Sequence, residues 1–146
     1  HRHHGRAHLQ RGGRAWGRVV TCWTFTIDWM GRAHLANAER NVHHHQSAKI
    51  RKAWREAGIQ GCRMAKVPKG LDRIGILFQP IYPKGPLPDP DAIHPTAKGI
   101  IDGIVDHGVV PDDNGTHVAY VCFLAPIKDP SATTGIRVII THQESS

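Results

Sequence analysis

Residues 88–115 read PDPDAIHPTAKGIIDGIVDHGVVPDDNG. Pro95 suits the first turn of a helix, since its missing N–H is an orphan there anyway. Ala97, Ile100, Ile101, Ile104 and Val105 then recur at helical spacing, and Gly108 stops the run. The spacing predicts a helix over about 95–107. A chain of prolines from Pro80 to Pro90 precedes it and predicts an extended connection. Two strands, Val118–Leu124 and Gly135–Thr141, are expected to follow.

Upstream, VVTCWTFTI (residues 19–27) places Val19, Thr21, Trp23, Phe25 and Ile27 on one face of a strand. A polar loop over about 28–46 holds Arg32, Asn37, Arg40, Asn41 and the triplet His43–His45. Ser47 reads as the cap of a helix over 47–57, with Ile50, Ala53, Trp54 and Ala57 on its inner face and Gly58 as its stop. A strand near 73–79 comes next. Residues 1–18 show no periodicity and read as a flexible basic tail, leaving 19–146 as one domain. The order β-α-β-α-β-β predicts a single α/β domain, a mixed sheet covered by two helices.

The formal net charge of +7 is unevenly spread. Residues 1–20 carry five arginines and no acid. Residues 21–88 carry eleven Lys/Arg against four Asp/Glu; residues 89–146 carry three against eight. Basic surface attracts polyphosphate. An acidic cluster repels it unless cations neutralise the carboxylates. Lys49, Arg51, Lys52, Arg55, Lys66 and Lys69 are therefore candidate contacts to a DNA or RNA backbone, with a solvated helix face as the plain alternative. No run of apolar residues is long enough for a membrane span. The arginine- and histidine-rich start lacks the apolar segment of a secretory leader. Cys22, Cys62 and Cys122 are odd in number and widely spaced, which points to a reduced, cytoplasmic compartment.

The acids carry the chemistry. Asp89 and Asp91, two apart on an extended segment, point the same way. Asp112 and Asp113 sit beyond the helix, and Lys98 and Asp102 lie one turn apart on it. Each fragment alone is ordinary turn or surface chemistry. Together they suggest a cation site with an ammonium beside it. A helix of three turns is ~15–18 Å long, so acids from its two ends converge only if a loop folds back or a second element brings them together. Oxygen donors without Cys or His suit Mg²⁺ or Mn²⁺ rather than Zn²⁺. The consecutive histidines 43–45 cannot all face one ion, and no cysteine has finger-like spacing. His94 and His107 flank the helix as cap-region residues or contacts to DNA or water.

Lys98-xxx-Asp102 followed by Gly108-Val-Val-Pro-Asp112-Asp113, with Asp89-x-Asp91 upstream, resembles the RusA-type Holliday-junction resolvases. The likeness spans about residues 20–142 and is strongest over 89–113. Six residues lie between Asp91 and Lys98, more than in the best-known members, and Ala92 stands where asparagine commonly follows the second acid. The resemblance implies a homodimeric, Mg²⁺-dependent endonuclease that makes paired cuts in four-way DNA junctions during recombination and repair. It implies Asp89, Asp91 and Asp113 as metal-binding acids and Lys98 as the catalytic lysine, with Asp112 a further possible ligand. A non-catalytic DNA-binding module of the same fold, or a nuclease for flaps and forks, are the rival expectations.

Overall fold

β3 (Ile74–Tyr82) pairs with three other strands of the sheet and buries Ile74, Ile76 and Phe78 in the core. The computed structural model describes residues 8–11, 19–29 and 44–143. Around β3 stand β1 (His8–Arg11), β2 (Val19–Asp28), α1 (His44–Ala65), α2 (His94–His107), β4 (Val118–Phe123), β5 (Ile127–Lys128) and β6 (Gly135–His142). A 3₁₀ turn, Pro90–Ile93, leads into α2. The sheet order is β1-β2-β6-β3-β4, with β5 also paired to β3. β4 and β5 run parallel to β3; β6 is antiparallel to both β3 and β2. The domain is thus α/β with a mixed sheet and, among the described residues, two α-helices.

Strand alternation selects the buried face. Trp23, Phe25 and Ile27 of β2, Ile74, Ile76 and Phe78 of β3, and Ile136, Val138 and Ile140 of β6 all join one core cluster. Their registers align them across the sheet: Phe25 opposes Val138, which opposes Phe78. Trp54, Cys62 and Ala65 of α1 and Ala97, Ile100 and Ile104 of α2 close the same cluster, so both helices cover one face. Burial pushes the Cys62 thiol up to about 12, as expected of a thiol serving as a small core hydrophobe. No helix among the described residues is long and apolar enough to cross a membrane.

Four readings of the sequence change. Gly58 does not end α1, which continues to Ala65. It lies where the two helices cross: a Cβ there would stand 2.7 Å from the Ile100 carbonyl oxygen, and one on Gly103 would collide with the Arg55 carbonyl. Close helix contact, worth more than the helix-propensity penalty of glycine, keeps these positions bare. Second, β3 runs through Pro80. Pro80 falls where pairing on one side passes from β4, last matched at Phe78, to β5, first matched at Ile81, so its missing N–H interrupts no ladder there. Third, residues 8–11 of the expected tail form β1 against β2, with His8 opposite Cys22. Fourth, the short strand β5 adds to the two strands expected after α2. The loop residues Arg32, Asn37, Arg40, Asn41 and His43 lie outside the described residues, as does most of the segment 1–18.

α1 ends in paired backbone bonds. The Val67 N–H donates to the Cys62 carbonyl at 3.0 Å and the Lys66 N–H to the Arg63 carbonyl at 3.2 Å, the pattern of a Schellman stop. Lys66 occupies the left-handed position, with φ 57°. Glycine takes that conformation without a Cβ clash. Lys66→Gly is therefore expected to raise stability by about 1 kcal/mol, read as a higher urea midpoint; a lower midpoint would contradict this.

Candidate active site

α2 presents two faces. Ala97, Ile100 and Ile104 are buried, while His94, Lys98, Asp102 and Asp106 recur every fourth residue along the outer side. The helix closes with a second Schellman arrangement. Gly108 is left-handed at φ 95° and donates to the Ile104 and Val105 carbonyls. The chain then turns back. Val109 and Val110 are buried, and the N–H groups of Gly70 and Leu71 donate to the carbonyls of Gly108 and Val109 at 2.8 and 2.7 Å. These contacts hold the α2–β4 loop against the segment that precedes β3.

The tip of that loop is built by its own polar side chains. Asp112 Oδ1 accepts from the Asp113 N–H at 2.7 Å, and its Oδ2 from Asn114 Nδ2 at 3.3 Å. Asn114 Oδ1 accepts from the Thr116 N–H at 3.0 Å, an Asx-type turn. So shaped, the loop delivers Asp113 to Lys98: Nζ donates to Oδ2 at 2.9 Å, across fifteen residues of sequence. The fold-back that acid convergence demanded thus occurs at the C-terminal end of α2. Both oxygens of Asp112 are engaged in forming the turn, which gives that residue a structural role.

Lys98 has its pKa raised, chiefly by the hydrogen bond to Asp113. Partial burial opposes this, and the charges of Asp113, Asp102 and Asp112 add to it. The same ammonium holds the Asp113 carboxyl below the usual range. The side chains are 57% and 37% exposed, so solvent screening limits the pair to about 1 kcal/mol at most. A lowered carboxyl pKa stabilises the fold above its unfolded value and loses that contribution as the acid protonates. A raised ammonium pKa does so below its own unfolded value. The stability advantage of wild type over Lys98→Met is therefore expected to be fully present between pH 3.8 and 10.5, and to decline as pH falls further through the lowered carboxyl pKa or rises further through the raised ammonium pKa. Denaturant midpoints at pH 3, 7 and 11 check this; an advantage no smaller at pH 3 than at pH 7 would contradict it.

At the other end of α2, Asp89 stands at the N-cap of the 3₁₀ turn and makes no side-chain capping bond; Asp91 lies in its first turn. Both are exposed. Ile93 occupies the N-cap of α2 itself, again without a side-chain cap. Helix capping therefore does not account for these carboxylates. His94 packs its ring on Phe123, centroids 5.7 Å apart, and Phe123 stacks on Phe78, which pins the start of α2 to the end of β4.

The structure brings together Lys98 and Asp113, with Asp102 and Asp112 close enough to act on the ammonium. It does not gather the three expected metal-binding acids. Among the described residues, no group of three or more His, Cys, Asp or Glu is placed to hold a metal ion. The donor chemistry of Asp89, Asp91 and Asp113 suits Mg²⁺, but their arrangement is not a ready cation cage.

The basic candidates divide into two groups. Lys49, Arg51, Lys52 and Arg55 lie in the first twelve residues of α1, whereas Lys66 and Lys69 lie beyond its C-terminus, Lys66 ~25 Å along the helix axis from Lys49. Arg55 is not a simple solvated cation. Its Nη2 is 3.6 Å from Asp102 Oδ2 and its Nε is 3.2 Å from Asp106 Oδ2. Sequence reasoning missed this clamp: it placed Asp102 one turn from Lys98 and gave it no partner on α1. Lys69 and Arg63 lie near His107, whose pKa is lowered first by burial and then by these two cations; it stays neutral at pH 7. Trp29, Trp54 and Tyr82 form an aromatic cluster at the carboxyl ends of β2 and β3. The sequence matches no protein-family model and no curated protein.

Proposed function

We propose that this chain is a structure-specific endodeoxyribonuclease that resolves four-way DNA junctions as a homodimer, with Mg²⁺, or Mn²⁺ in its place, as cofactor. The observation that carries this reading is the Lys98–Asp113 contact, which requires the α2–β4 loop to fold back over the helix. A fixed ammonium beside a carboxylate, solvent-accessible and next to further acids, is equipment for phosphoryl chemistry. The resemblance of the 89–113 spacing to RusA-type resolvases supports it, as do the uncapped carboxylates of Asp89 and Asp91.

Hydrolysis adds water across the phosphodiester. The water oxygen bonds to phosphorus, the bond to the 3′ oxygen breaks, and that oxygen takes up a proton, leaving a 5′ phosphate and a 3′ hydroxyl. Lys98 stabilises the negative charge that develops on the phosphoryl group and the departing oxygen. A bound divalent ion would supply further charge neutralisation. Because the three acids are not gathered, no step is assigned to it. A twofold dimer presents two equivalent sites to the two symmetry-related strands of a junction.

The absence of a gathered acid triad among the described residues favours a second reading, a DNA-binding module without chemistry. Incubation of wild type with a labelled four-way junction, a flap and a linear duplex in Mg²⁺ separates the possibilities. Paired nicks in the junction are expected. Stronger cutting of the flap would reassign the substrate, and tight binding without cutting would favour the module.

A further inference from the structure

A cleft of about 500 Å³ opens between α1 and α2, its charged lining made of Arg51, Lys52, Arg55 and Glu56 from the first helix and Asp102 from the second. Three cations against two carboxylates leave the concavity net positive and so attractive to an anion, yet Arg55 already faces Asp102 and Asp106. Each of those contacts is made through one nitrogen and one oxygen, and the Arg55 side chain is 49% exposed. Ion pairs of this kind are weak. A phosphate, in contrast, takes an arginine in bidentate fashion, with shorter and stronger bonds.

We propose that this cleft is a subsite for a backbone phosphate of DNA, and that Asp102 and Asp106 are its built-in placeholders, holding Arg55 until the phosphate displaces them. The proposal rests on the reading of the chain as DNA-acting and adds to it a regulated contact. Arg51 and Lys52 flank the site, and Arg55 swings from carboxylate to phosphate when the strand arrives. Asp102 lies one turn from Lys98 on α2 and already acts on its charge, so occupation of the cleft changes the ion-pairing of a residue beside the candidate active centre. The arrangement also favours DNA over free anions, because a single inorganic phosphate must compete with two fixed carboxylates, whereas a DNA strand is anchored at several points at once.

A double-mutant cycle on DNA binding tests this. Affinities for a labelled four-way junction are measured in EDTA at low salt for wild type, Asp102→Asn/Asp106→Asn, Arg55→Gln and the triple variant. The asparagines are isosteric and half-exposed, and circular dichroism checks that each variant is folded. With Arg55 present, removing the two carboxylates is expected to tighten binding about fivefold. With Arg55→Gln, the same change is expected to shift affinity by less than about twofold. Equal tightening in both backgrounds would reveal a general charge effect and overturn the placeholder role alone. No tightening with Arg55 present would overturn it too. A folded wild type that binds neither junction nor duplex would overturn the DNA reading itself and the subsite with it.

Discussion

Lys98→Met is expected to slow junction cleavage by roughly 10²–10³-fold in single-turnover assays while lowering the thermal midpoint by no more than about 4 °C. The two halves of this expectation have separate causes. Lys98 is more than half exposed and its ion pair with Asp113 is screened, so the fold loses at most about 1 kcal/mol with it. The apolar stripe that anchors α2, Ala97, Ile100 and Ile104, is untouched. The transition state of phosphodiester cleavage, by contrast, carries growing negative charge, and a fixed ammonium within reach of it acts where little solvent reorganisation is needed. Lys98→Arg keeps the charge on a differently shaped head and is expected to retain part of the rate. An unaltered rate in Lys98→Met would remove this residue from the chemistry.

Gly103→Ala is expected to destabilise the protein by about 1–3 kcal/mol, read as a fall in the urea midpoint. The sign makes this a sharp test. In an exposed helix, alanine is better than glycine by about 1 kcal/mol, so propensity alone forecasts a gain. Here a Cβ on Gly103 would run into the Arg55 carbonyl and approach the Cα of Gly58 at 3.1 Å. Both obstacles are backbone, so neither yields by a rotamer change. The helices must separate, and Trp54, which packs so closely on Gly99 that a Cβ added there would stand 3.0 Å from its own Cβ, would lose contact with α2. A higher midpoint for Gly103→Ala would show that the helices are not locked at this crossing.

The strands that alternate over many residues, β2 and β6, were legible because period two is hard to mistake. So was α2, whose stripe, Pro95 and Gly108 all agree. α1 was misjudged because Gly58 has the residue type of a helix stop while serving as a contact surface, and only the partner helix distinguishes the two. β1 and β5 were unread because four and two residues carry no detectable period. In the candidate site, the pairing of Lys98 with Asp113 depends on a loop reversal fixed by buried Val109 and Val110, which sequence spacing allows but does not require. The clamp of Arg55 on Asp102 and Asp106 was illegible for a different reason: a basic helix face looks the same in sequence whether it meets solvent or a neighbouring helix.

The most direct test of the account is the rate at which wild type and Asp113→Asn nick a synthetic four-way junction with and without added Mg²⁺. Paired, Mg²⁺-dependent nicks by wild type and none by a folded Asp113→Asn that still binds the junction are the expected result. Junction binding by both proteins with cleavage by neither, at any concentration of Mg²⁺ or Mn²⁺, would contradict it.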